Sequence, residues 1–238
     1  RRMCIRDRFY FLFGLFGLSQ LLKAFHFKPR TIAVTILLLA FGTNTLIYTL
    51  NAPAFSHIYG FFAISFFLLF LKRFIESSKT NHLILAAVFL GITILIRPFD
   101  VLIVLAFPFL AMSWKALAAS GKALFNRPLR LIICILIVIS IFSIQQVLWF
   151  IETGSIVFYG YNNEGFYFTK PQILKSFFSF RKGVFIYTPL AFIALLGLIP
   201  IYKRTKFGFF SYGIFSLILV YIISSLWIWY YGPGFGLR

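Results

Sequence analysis

The sequence predicts an all-α membrane protein, a polytopic bundle of about eight transmembrane helices, and three observations predict it. The 238 residues are 61% hydrophobic and only 12% charged, with a mean hydropathy of +0.94. Soluble domains are nearer half apolar and about a quarter charged. Apolar runs recur from end to end, at 9–25, 31–50, 58–75, 82–96, 101–114, 131–150, 184–202 and 208–231, and most approach the length a bilayer needs. The 23 basic residues, against 5 acids, sit in short clusters between these runs. That is the pattern of membrane orientation signals, whereas a nucleic-acid surface gathers its charge on one face or tail. One transmembrane domain over 1–238 is therefore expected, with 151–183 as its only sizeable loop and no nucleic-acid partner.

The connections set an orientation. Lys23, Lys28 and Arg30 follow the first run, and Lys72, Arg73 and Lys79 follow the third. Lys115, Lys122, Arg127 and Arg130 follow the fifth, and Lys203, Arg204 and Lys206 the seventh. These alternate connections belong on the cytoplasmic side. The others, "NAPAFSH" (51–57), "RPFD" (97–100) and 151–183, belong outside. Trp114 then marks an inner end, while Trp149, Trp227 and Trp229 mark outer ends, as an interfacial aromatic belt requires. "RRMCIRDR" (1–8) breaks the alternation, with four arginines against Asp7 on the outer side. Either an anionic ligand or a connection cut from a longer, more acidic loop accounts for it. The chain opens on Arg1-Arg2 and stops at Arg238, so a fragment of a longer protein is expected. Cys4 and Cys134 read as two inert thiols.

The runs 82–96 and 101–114 are each short of a full span, yet joined they would make a helix of about 50 Å, too long for one crossing. Pro98 disfavours helix at Arg97. Two short helices meeting at a turn below the outer surface follow, with Arg97 and Asp100 lining a cavity open to the outside. Two readings of the pair stand: Arg97 pairs with Asp100 and pins the turn, or its planar fork serves a lipid-borne phosphate.

In the loop 151–183, Gly154, Gly160, Gly165, Asn162 and Asn163 mark turns. Thr169 is placed to cap a short helix from Pro171, with Ile173, Leu174, Phe177 and Phe178 on one face, a helix lying in the outer interface. "SFRKG" follows as a cationic turn over the cavity mouth. Its Arg181 and Lys182, outside the packed spans, are either solvated or anion-binding. Glu164 is one of the loop's two acids, beside Glu152, and a candidate base with no carboxylate partner visible in the sequence. His57, where the third run begins, is either interfacial or in contact with a sugar or phosphate. No HExxH, GxSxG, phosphate-binding glycine loop or Cys/His cluster is present, so no metal and no cofactor is predicted.

The order "FYFLFGLFGLSQLLKAF", "FGTNTLIYTLNAPAFSHIYGFFAISFFLLFLKRF", "GITILIRPFD", "YNNEGFYF", "FSFRKGVFIYTPL" and "WYYGPGFGLR" resembles the polytopic glycosyltransferases of the GT-C superfold. The likeness is to bacterial members related to protein O-mannosyltransferases and the lipid A aminoarabinose transferase, and it covers nearly the whole chain. It implies a cell inner-membrane enzyme that takes a sugar from a polyprenyl-phosphate carrier. The sugar passes to a glycan, lipid or protein acceptor on the outer side of the cytoplasmic membrane. It also implies a catalytic aspartate in an outer loop upstream of Arg1, so no base is assigned within these residues, and Asp7 looks too close to the following span. Substrate-binding residues on this reading are Arg97, Asp100, Arg181, Lys182, His57, Glu164 and Arg238. Two rivals stand beside it. One is a transporter or flippase for a lipid-linked or amphipathic anion, although no internal repeat supports it. The other is a non-catalytic scaffold.

Overall fold

The computed structural model describes residues 2–51, 55–156, 165–227 and 230. Every regular element among them is helical; the sole pairing of extended chain is a single antiparallel bridge between Phe166 and Leu226. The all-α class is thus as expected.

Helix α1 (Arg2–Ala24) starts earlier than the first apolar run. Asp7, Phe11, Gly14, Gly17 and Leu21, spaced by three or four residues, form its buried stripe. They face α4, the central helix introduced below. The expected single helix over 31–50 is two: α2 (Pro29–Gly42) and α3 (Thr45–Leu50), separated at an extended Thr43. The Thr43 hydroxyl donates to the Leu39 carbonyl at 2.7 Å, the kind of local bond that competes with the helical ladder.

Helices α4 (Ser56–Ser77) and α5 (Thr80–Ile96) match their runs. After Pro98 the chain winds as a 3₁₀ segment, Pro98–Ala106, then α6 (Phe107–Ala111). The basic connection 115–130 contains a helix of its own, α7 (Trp114–Phe125), before α8 (Pro128–Thr153). Beyond the loop come α9 (Ile173–Phe178), α10 (Val184–Tyr187), α11 (Pro189–Ala194) and α12 (Leu198–Arg204). Pro189, which has no backbone N–H to donate, falls where the expected helix over 184–202 breaks. The last helix, α13 (Lys206–Ser224), is continuous.

Among the described residues three helices, α4, α8 and α13, are long and apolar enough to cross a membrane unaided, fewer than the eight expected. The reason is local. The remaining runs are interrupted at Thr43, Pro98 and Pro189, or, in α1, carry arginines in the first turns.

Packing runs along a row α1–α4–α5–α8, with α6 and the 3₁₀ segment folded back and α13 laid on α6. Gly14 and Gly91 allow two of these crossings: an added Cβ would stand 2.5 Å from the Phe61 ring and 2.9 Å from Ile141, respectively. Half of α4 is covered by its neighbours, whereas α8 is nearly bare, with Ile132, Leu136, Ile139, Val147 and Phe150 all exposed. An apolar surface this continuous belongs against lipid, which makes this a membrane protein.

Candidate functional site

Helix α5 ends where Pro98 forces it to. Arg97 is extended (φ −151°, ψ 109°), and its N–H still closes the helix on Thr93 at 3.0 Å. The Asp100 N–H returns to the Arg97 carbonyl at 2.9 Å, so "RPFD" is the tight turn the sequence predicts. Its two charged side chains, however, are not an ion pair. Among the described residues the ion pairs are Arg6–Asp7 and Lys72–Glu76. Arg97 instead donates from Nη1 to Nδ1 of His57 at 3.3 Å. A guanidinium can only donate, so Nδ1 is the accepting nitrogen and the imidazole proton of that tautomer lies on Nε2. The His57 ring packs against Tyr48, at 4.7 Å between centroids, and Phe55, stacked at 6.1 Å, and those two rings meet each other at 5.9 Å.

Asp100 is half-buried, and its carboxylate has no hydrogen bond or ion pair among the described residues. It faces Gly60 on α4, where an added Cβ would meet Oδ2 at 3.5 Å. The Arg97 charge acts on this carboxylate only through space, and a carboxylate with no hydrogen bond beside apolar helices is costly unless water or a ligand meets it.

The loop closes over this turn. The Tyr167 N–H bonds the Ser225 carbonyl at 2.7 Å, the Trp227 N–H bonds Gly165 at 3.0 Å, and the Gln172 N–H bonds Ser224 at 2.8 Å. The Tyr221 hydroxyl donates to the Phe168 carbonyl at 2.8 Å. Phe166 then lies 5.3 Å from Phe99 of the turn and 5.2 Å from Phe168, centroid to centroid. Segments 97–100, 165–172 and 221–227, far apart in the chain, meet at one end of the bundle.

Helix α9 forms as expected, though Gln172 rather than Thr169 stands at its N-cap, and Ile173, Leu174 and Phe178 are largely uncovered. In "SFRKG" the Gly183 N–H bonds the Ser179 carbonyl at 2.7 Å, so tightly that a Cβ at Gly183 would come within 2.7 Å of two backbone oxygens. Arg181 is exposed and lies over the Tyr230 ring, 3.4 Å from its centroid. Lys182, expected outside the packed spans, is buried and has a partner. Glu164 and Arg238 lie outside the described residues.

Sequence reasoning named Asp7 and the arginine beside it but not the cluster they form with Tyr59 at the same end. Asp7, 1% exposed, accepts a hydrogen bond from the Tyr59 hydroxyl. Arg6 stands 3.9 Å from Asp7 and 5.3 Å from the centroid of the Tyr59 ring. The signal was present, since Asp7 falls in phase with the buried stripe of α1. No group of three or more potential metal ligands gathers among the described residues. No family model, no curated protein and no solved structure matches the chain.

Proposed function

We propose that the chain is the membrane-embedded body of a GT-C glycosyltransferase, crossing the bilayer about eight times. It moves a sugar from a polyprenyl-phosphate carrier to an acceptor outside the cytoplasmic membrane. The shorter helices cross as broken or paired segments, packed against α4 and one another, which is where interrupted backbone is tolerated in a membrane.

The observation that carries the reading is the end formed by Arg97, His57 and Asp100 beneath the 165–172 loop. Arg97 has five N–H donors and commits one to His57. The others suit phosphate oxygens, and His57 fixes the guanidinium plane. Asp100, unpaired among the described residues, suits sugar hydroxyls. Phe99, Phe166 and Phe168 supply an apolar wall. In the reaction an acceptor hydroxyl attacks the anomeric carbon, gives up its proton to a general base, and the carrier phosphate leaves with the bonding pair. Arg97 stabilises the charge that develops on the departing oxygen.

The test is to incubate the full-length protein in liposomes with a radiolabelled polyprenyl-phosphate sugar and membrane acceptors. Label moved onto the acceptor supports the enzyme. Label that crosses the bilayer still attached to its carrier would mean a transporter, and no movement of label a scaffold.

A further inference from the structure

At the opposite end, the basic connections surround a cavity of about 510 Å³. Its wall includes Phe25 and His26 after α1, Lys72 and Glu76 on α4, Ser113 before α7, and Arg204 at the end of α12. Lys72 is buried, bonded to the Leu110 carbonyl at 3.2 Å, paired with Glu76 at 3.3 Å and set 4.5 Å from the centroid of the Phe25 ring. The cavity's one acid is therefore already neutralised. Arg204 is exposed, and its guanidinium has no hydrogen bond or ion pair among the described residues. The imidazole of His26 is likewise uncommitted there.

The N-caps of α7 and α13, Ser113 and Thr205, border the same space, so the positive ends of two helices add to the cationic side chains. Trp114, 70% exposed and in edge contact with Phe207 at 6.2 Å, stands beside the rim, as an interfacial tryptophan does. Phe27, next in sequence to His26, is also uncovered.

We propose that this cavity binds the phosphodiester headgroup of an anionic phospholipid in the leaflet on the basic side. Arg204 and His26 meet the phosphate, and the exposed aromatic rim lies along the acyl chains. Basic pockets between transmembrane helices on the cytoplasmic side take such headgroups. The site is distinct from the Arg97 end and does not depend on sugar transfer.

The experiment is native mass spectrometry of the full-length protein with phosphatidylglycerol, with phosphatidylethanolamine, and with phosphatidylglycerol plus millimolar glycerol 3-phosphate. Phosphatidylglycerol should be retained about tenfold more than phosphatidylethanolamine. Arg204→Ala and His26→Ala should each erase most of that preference at an unchanged melting temperature. Lys203→Ala, outside the cavity wall, should keep it. Equal retention of the two lipids would overturn the proposal. So would equal effects of Lys203→Ala and Arg204→Ala, which would indicate diffuse surface charge. Displacement of phosphatidylglycerol by glycerol 3-phosphate would overturn the lipid assignment in favour of free phosphate.

Discussion

Arg97 and His57 are joined by a contact across 40 residues of sequence, and its strength sets a first expectation. His57→Ala removes the acceptor that orients the guanidinium. A hydrogen bond to a charged group contributes about 1.5–3 kcal/mol, so carrier affinity should fall at least about tenfold with little loss of folded protein. Unchanged affinity would mean that Arg97 needs no orienting group. Asp100→Asn tests the separation of Arg97 from Asp100. With no close ion pair between them and the Arg97 charge acting on Asp100 only through space, Arg97→Gln and Asp100→Asn should couple only weakly on folded yield. Mutual rescue in the double variant would restore the ion-pair reading. Asp7 and Tyr59 should behave in the opposite way. Asp7→Ala leaves the Tyr59 hydroxyl short of this acceptor and should cost about 1–3 kcal/mol. Tyr59→Phe in that background should recover part of the loss in melting temperature, a coupling that fails only if the hydrogen bond contributes nothing.

One glycine decides how two helices meet and another how a turn closes. At Gly14 an added Cβ would stand 2.5 Å from the Phe61 ring, so Gly14→Val should push α1 from α4 and cost about 1–3 kcal/mol, read as a lower melting temperature. At Gly183 the obstruction is backbone. Gly183→Ala should open the 179–183 turn and speed proteolysis of that loop while the helices stay protected. The turn at "RPFD", the helix after Pro171 and the sorting of basic and polar connections to opposite ends were legible, because proline sterics and charge placement act locally. The interruption at Thr43 was not, since a threonine bond to a carbonyl four residues back breaks one run and leaves others whole. The helix over 114–125 was hidden because its lysines read as a connection. His57 and Arg97 were each picked out, but their bond was not, because it depends on how α4 and α5 pack. Lys182 was expected outside the packed spans because "SFRKG" reads as a cationic turn, yet the tight turn at Gly183 coincides with its burial.

Across the whole molecule the account divides the bundle into two chemically distinct ends. One gathers His57, Arg97, Asp100 and the 165–172 loop. The other gathers His26, Lys72, Arg204 and the rim at Trp114. Single cysteines at the exposed Ser78 and Lys203 should therefore label from one side of a sealed membrane, and those at Ser155 and Lys170 from the other. Labelling of all four from one side would dissolve the division. The most direct measurement is the sidedness of sugar transfer. Full-length protein is sealed into liposomes in one orientation, defined by Lys170→Cys labelling, and radiolabelled polyprenyl-phosphate sugar is supplied with a water-soluble acceptor on either face. The account predicts labelled acceptor only on the face where Cys-substituted position 170 reacts, and its loss in Arg97→Gln. Transfer on the Lys203 face, or undiminished transfer in Arg97→Gln, would contradict it.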